Sequence, residues 1–220
     1  MIRALIFDFD GLILETEGPS YKSWEEVYQS FGLTLPFSTW STIIGTTQGE
    51  FDPRIELQRQ VKGWVDWDAV ESRRQTSEQA LIEAQPVLPG VEQYLHDAKR
   101  LGLYLGLASS SSCNWVVGHL KRLGLEDHFD CICASDDVQC TKPDPELYHC
   151  VLRGLGVSAD EAIALEDSPI GIRAAKQAGI FCVAVPNPLT SQLILSQADL
   201  LLGSLAEIPL EQLLNKVNSL

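Results

Sequence analysis

Short unbroken apolar runs alternate with stretches of helical periodicity along most of the chain. Residues 3–7, Arg-Ala-Leu-Ile-Phe, are apolar and β-prone, and the run stops at Asp8-Phe9-Asp10-Gly11, where glycine permits a turn. From about residue 20 to 31, Trp24, Val27, Tyr28 and Phe31 recur at three-to-four spacing, and Gly32 stops the pattern. Further helices are predicted over residues 39–44, 53–61 and 68–84, the last ended by Pro86. No strand signal interrupts this stretch. The pattern then changes. Strands are predicted at residues 103–108, 129–134, 162–165 and 180–185. Helices are predicted at residues 89–101, opened by Pro89-Gly90, and at 113–123, 145–155, 169–178, 189–197 and 207–217.

Continuous apolar strands that alternate with helices require a parallel sheet covered on both faces. The fold class is therefore α/β, a doubly wound, Rossmann-like sheet of about five strands. An all-helical segment is inserted after its first strand. The expected division is a core of residues 1–14 and 87–220 and a helical domain of residues 15–86. A chain of 220 residues can bury one good core with room for such a small second body.

Charge narrows the function. Sixteen basic against thirty acidic side chains leave a formal −14. That excludes nucleic acid as the main partner and electrostatic docking on an anionic membrane, because both need a basic footprint. No apolar run approaches the roughly 20 residues that cross a bilayer. The apolar start of the chain is shorter than a signal-peptide core and is ended by Asp8 and Asp10. A cytoplasmic protein, a monomer or small homo-oligomer, is expected. Five of the six cysteines lie between Cys113 and Cys150. A zinc site could be drawn from Cys131, Cys133, Cys140, His149 and Cys150, but no C-x-x-C pair supports it. Reduced, packed thiols are the preferred reading.

In open parallel sheets, ligands bind beyond the carboxyl ends of the strands. Those ends deliver Asp8 and Asp10, Ser109 and Ser110, and Glu166 and Asp167, with Lys142 in the loop after the third strand. Carboxylates Asp8 and Asp167 suit Mg²⁺, a hard cation with oxygen ligands. Lys142, Ser109 and the backbone N–H groups around Gly11 and Ser110 suit a phosphate. A purely structural reading of Asp8 and Asp10 leaves acids repelling one another without a counter-ion. Ser109 also reads as a helix N-cap, a role compatible with phosphate binding. Ser111 and Ser112 read as solvent or capping residues, and the four histidines as surface.

Four motifs carry a family resemblance. They are Asp8-Phe-Asp-Gly-Leu-Ile-Leu-Glu-Thr-Glu17, Ala108-Ser109-Ser110, Lys142-Pro-Asp-Pro-Glu-Leu-Tyr148 and Leu165-Glu-Asp-Ser-Pro-Ile-Gly-Ile-Arg-Ala-Ala175. In this order they resemble the four motifs of the haloacid dehalogenase superfamily, across nearly the whole chain. The helical insert resembles the cap of the phosphoglycolate phosphatase and β-phosphoglucomutase-like branch. The resemblance implies a sheet order of 3-2-1-4-5 and a Mg²⁺-dependent phosphatase. Asp8 would be the nucleophile that forms an aspartyl-phosphate. Asp10 would protonate the leaving oxygen and then activate water, its backbone carbonyl also binding the metal. Asp167 would complete the ligands, with Glu166 acting directly or through water. Ser109 and Lys142 would hold the phosphoryl group. True dehalogenases of the superfamily lack the second acid, so Asp10 favours phosphate chemistry.

The cap is less legible. Thr16 and Glu17 stand at its entry as candidates to position Asp10 and to face the substrate, beside plainer readings as hinge or cap residues. Glu15 replaces the aspartate usual in the family. Trp24 reads as cap core. The loop Ile44-Gly-Thr-Thr-Gln-Gly-Glu-Phe51 is a candidate specificity loop, with Thr46, Thr47 and Arg54 as possible contacts. Family mutases carry a cap-entry histidine, and alignment on Trp24 puts Ser20 there, which favours hydrolysis. The expected substrate is a small phosphorylated metabolite, a phosphosugar on family grounds. The alternative is a β-phosphoglucomutase-type mutase. A non-catalytic binding or regulatory module fits poorly with every catalytic carboxylate in place.

Overall fold

The apolar runs become strands that bury both faces. In the computed structural model, residues 1–44 and 51–219 are described. β1 (Ala4–Phe7), β2 (Tyr104–Ala108), β3 (Cys131–Cys133), β4 (Ala162–Glu166), β5 (Phe181–Ala184) and β6 (Leu200–Leu201) form one sheet in the order β3-β2-β1-β4-β5-β6. Every pairing is parallel. The expected order of five strands is found, and a two-residue edge strand extends it. The predicted helix over residues 189–197 does not form. A 3₁₀ turn at Thr190–Gln192 stands there, because the Asn187 carbonyl Oδ1 accepts from the N–H groups of Leu189 and Thr190, each at 2.9 Å. Such local side-chain bonds compete with helix.

The helices around the sheet are α5 (Val91–Arg100), α6 (Cys113–Leu123), α7 (Glu146–Leu155), α8 (Pro169–Gln177) and α9 (Leu210–Asn218). Alternate strand residues enter opposite cores, as the two-residue side-chain period requires. Leu5, Phe7, Ile163 and Leu165 pack with residues of α5, α6 and α9. Ala4, Ile6, Ala162 and Ala164 pack with residues of α7 and α8. The second face is rich in alanine, which lets its helices sit close to the strands. Gly106 of β2 extends this, since a Cβ there would overlap Val151 of α7.

Between β1 and α5 the chain forms α1 (Glu17–Ser30), α2 (Phe37–Trp40), α3 (Pro53–Gln60) and α4 (Trp67–Glu83). These helices share their own buried cluster, including Trp24, Tyr28, Trp40 and Leu57. Trp24 is core, as expected. Thr46 and Thr47 lie outside the described residues. No described helix is long and apolar enough to cross a membrane.

The thiol reading needs correction. Cys133 and Cys150 form a disulfide, while Cys113, Cys131, Cys140 and Cys182 are free. The cause is packing of α7 against β3, which sets the two Cα atoms 6.3 Å apart, within bridging reach.

Candidate active site

Parallel pairing brings the carboxyl ends of β1, β2 and β4 to one edge. Phe7 stands in register with both Leu107 and Leu165, so the residues just beyond them share that edge. Asp8, Ser109, Glu166 and Asp167 are all buried there. Oxygens of Asp8, Glu166 and Asp167 lie within 4.8 Å of one another.

Lys142 reaches this cluster from the loop between β3 and α7. It is 2 % exposed, and its Nζ donates to Asp8 Oδ1 at 2.6 Å and to Glu166 Oε1 at 2.7 Å. Tyr148 of α7 donates its hydroxyl to the same Glu166 oxygen at 2.6 Å. Burial alone would lower the Lys142 pKa, but the two carboxylates outweigh it and raise the value. Asp8 is pushed up to about 7, first by burial and against the pull of Lys142, with Glu166 adding repulsion. Burial and then the charges of Asp8 and Glu166 raise Asp167 well above the usual carboxylate range. Three buried acids against one buried ammonium leave negative charge uncompensated.

An all-oxygen donor set with excess charge is what a hard divalent cation requires. The residues therefore fit a metal of the Mg²⁺ class. Asp167 is braced in place, since Asn187 Nδ2 donates to its Oδ2 at 2.9 Å and to the Gly11 carbonyl at 3.2 Å. Asn187 carries no motif signal, and no local pattern marks it. Gly11 serves a different purpose from the expected one. Its N–H donates to the Leu14 carbonyl at 2.7 Å, so it is committed to a turn rather than to phosphate. Its φ of +81° suits glycine, and a Cβ there would overlap the Asp167 carboxylate.

Asp10 accepts from four donors. Thr16 Oγ1 and Trp115 Nε1 reach its Oδ1 at 2.9 and 3.0 Å. Ser111 Oγ and Ser109 Oγ reach its Oδ2 at 2.6 and 3.4 Å. Thr16 thus sits where the sequence expectation puts it. Ser111 does not. It belongs to the site, while Ser112 alone caps α6 by accepting from Trp115 N at 3.4 Å. Nothing in the sequence singles out Trp115, because helical spacing marks it as one more packed aromatic. Ser110 Oγ is buried and has no partner among the described residues, which leaves its hydroxyl able to donate to a phosphoryl oxygen.

These groups open into a cavity of about 200 Å³. Glu17 and Ser20 of α1 line it, as do Glu78 and Ile82 of α4. Neither Glu78 nor Ile82 stands out in the sequence. Arg54 is not among the lining residues; its guanidinium lies 3.7 Å from Asp68. Glu15 turns back on the chain and accepts from Gly18 N at 2.8 Å.

Gly171 tests the rigidity of this arrangement. Alanine in a helix is worth up to about 1 kcal/mol over glycine. A Cβ at Gly171 of α8 would overlap the Glu166 carboxylate, which Lys142 and Tyr148 hold in place. The overlap outweighs the propensity, and Gly171→Ala is expected to destabilise the fold by about 1–3 kcal/mol in urea unfolding. A gain in stability would show that Glu166 gives way freely.

Residues 5–185 match the haloacid dehalogenase-like hydrolase family. A Bacillus subtilis protein named for a phosphatase, YhcW, is 46% identical over 100% of this chain and 99% of its own length. The phosphorylated carbohydrates phosphatase of Thermotoga maritima is 31% identical over 97% of each. The crystal structure of β-phosphoglucomutase from Clostridium difficile superposes with a TM-score of 0.78 at 28% identity, covering 100% of this chain and 98% of the other. The chain belongs to the haloacid dehalogenase-like hydrolases, and within them it is an enzyme of the phosphatase kind.

Proposed function

We propose that the chain hydrolyses phosphate monoesters of small polyhydroxylated metabolites through an aspartyl-phosphate on Asp8. The observation that carries this is the meeting of Asp8, Glu166, Asp167 and Lys142 at one sheet edge, beside an Asp10 held by four donors. The similarity to the Thermotoga phosphatase of phosphorylated carbohydrates supports the substrate class. Residues 15–86 act as the cap over a core of residues 1–14 and 87–220.

Each residue then has a task. An Asp8 oxygen attacks phosphorus while Asp10 gives a proton to the departing ester oxygen. Lys142, Ser109 and Ser110 hold the phosphoryl oxygens in place. Asp10, now a base, takes a proton from water, which attacks the same phosphorus. The bond between phosphorus and Asp8 breaks, and the carboxylate is restored. Asp8, Asp167 and the Asp10 carbonyl, with Glu166 directly or through water, would hold Mg²⁺, which neutralises charge gathering on the phosphoryl group when bound.

A mutase is the second reading, favoured by the likeness to β-phosphoglucomutase. Ser20 weighs against it, since a hydroxyl rather than an imidazole lines the chamber at that position. The deciding assay follows Mg²⁺-dependent phosphate release from a phosphometabolite panel with β-glucose 1-phosphate, and glucose 6-phosphate formation in parallel. Phosphate release is expected to be the faster process and to stop with a chelator. Isomerisation outrunning release would overturn the hydrolytic reading.

A further inference from the structure

The inner chamber is small for a site that takes a whole phosphorylated metabolite. Its volume of about 200 Å³ lies below the roughly 300–1,000 Å³ of ordinary small-molecule sites, and the phosphoryl group needs part of it. A second cavity of about 440 Å³ lies alongside, between α4 and α6. The two meet at Glu78, Ile82 and Trp115, which line both. Together they reach the usual range.

The junction is built rather than incidental. Glu78 Oε2 accepts from Arg74 Nη1 at 2.7 Å, and Arg74 is only 9 % exposed. The guanidinium is pinned to the helical insert by Glu71 at 2.8 Å, by Ser23 Oγ at 3.1 Å and by the Trp24 ring at 4.8 Å. Glu78 is thereby held in one place, with Oε1 lacking a protein partner among the described residues. Across from it, Trp115 is fixed by its bond to Asp10 and by an edge contact with His119 at 4.5 Å. The outer cavity adds the amide of Asn114 and the amide oxygens of Gln75 and Gln79, whose Nε2 groups donate to Glu71 at 3.1 Å and to Glu83 at 2.8 Å.

This chemistry has a natural complement. Amides and a carboxylate satisfy hydroxyls, which both donate and accept, and an indole packs against the C–H face of a ring. The cation of the outer cavity, Arg122, is engaged with the Glu83 carbonyl and with His119 Nδ1. Glu78 and Glu83, both on the wall, repel a second anionic group.

We infer that the outer cavity is a leaving-group subsite that takes a second, uncharged polyhydroxylated ring of the substrate, with Glu78 as the specificity-determining residue at its mouth. This rests on the phosphatase reading of the inner chamber and adds the size and charge of the leaving group.

The test measures kcat/KM for p-nitrophenyl phosphate, glucose 6-phosphate, 6-phosphogluconate, trehalose 6-phosphate and sucrose 6-phosphate. At least one disaccharide ester is expected to match or exceed glucose 6-phosphate. The carboxylate-bearing 6-phosphogluconate is expected at least tenfold below it, a gap that Glu78→Gln narrows. Asn114→Trp and Gln79→Trp, exposed helical positions that would fill the outer cavity from opposite walls, are each expected to lower the disaccharide-to-monosaccharide ratio at least tenfold. Turnover of p-nitrophenyl phosphate with neither disaccharide ester, or a ratio unmoved by both tryptophans, overturns the subsite and leaves the phosphatase reading standing. No turnover of any ester overturns that reading itself.

Discussion

Asp8→Asn is expected to lower phosphate release at least about a thousandfold, the scale of losing a covalent nucleophile. The amide is isosteric but cannot form an acyl phosphate. No neighbour can replace it. Glu166 is held by Lys142 and Tyr148 and Asp167 by Asn187, and Asp10 is needed as the acid and base of the same reaction. The loss would not come from unfolding. Burial raises the Asp8 carboxyl from its ordinary value to about 7, so ionising it works against the fold. A group with a raised folded pKa contributes stability below its unfolded value that is lost as pH rises through the folded one. In the presence of a chelator, the wild type should therefore lose stability relative to Asp8→Asn between about pH 4 and pH 7. Urea midpoints across that window measure the effect. Retention of a tenth of the activity by the variant would sink the nucleophile assignment.

Lys142→Met is expected to destabilise the protein by about 3–5 kcal/mol and to remove most activity. Methionine keeps the length of the chain and deletes the ammonium. Asp8 and Glu166 are then left buried without their counter-charge, and uncompensated buried charge is what makes broken internal ion pairs costly. Total stability is only about 5–15 kcal/mol, so the shift in the urea midpoint should be large. Lys142→Arg should not restore activity. The site is closed around a compact point charge that serves two carboxylates at 2.6 and 2.7 Å, and the planar guanidinium has a different reach and shape. A loss below about 1 kcal/mol for Lys142→Met would mean that the carboxylates find another partner or take up protons without penalty.

Much of the core site was legible because its residues stand at strand ends, where period and composition change together. Asp8, Ser109, Glu166 and Asp167 each follow an apolar run, and Lys142 is the one basic residue between Arg122 and Arg153. Their burial and mutual contact in the structure follow from the parallel pairing. The residues that brace them were not legible. Asn187 lies twenty positions after Asp167, between two prolines, and holds it through one amide. Ser111 looked like a capping residue in a run of four serines, yet its hydroxyl lies 2.6 Å from Asp10. Spacing does not reveal the Cys133–Cys150 bridge, because it says nothing about how α7 lies on β3.

The succession of elements, the point where the helical segment enters, and the kinds of chemical group delivered to the strand ends can all be read from the chain alone. These depend on local properties: side-chain period, apolar run length and the turn residues between them. Which of those groups meet depends on the folded arrangement. Lys142 and Asp8 are 134 positions apart, and Trp115 and Asp10 are 105 apart. Parallel crossovers bring them to one edge, and the packing of neighbouring helices sets their rotamers. A hydrogen bond depends on tenths of an ångström and on direction, which no local pattern specifies. The leaving-group side of the site depends on this most, because α4 and α6 line it together and neither helix alone shows a motif for it.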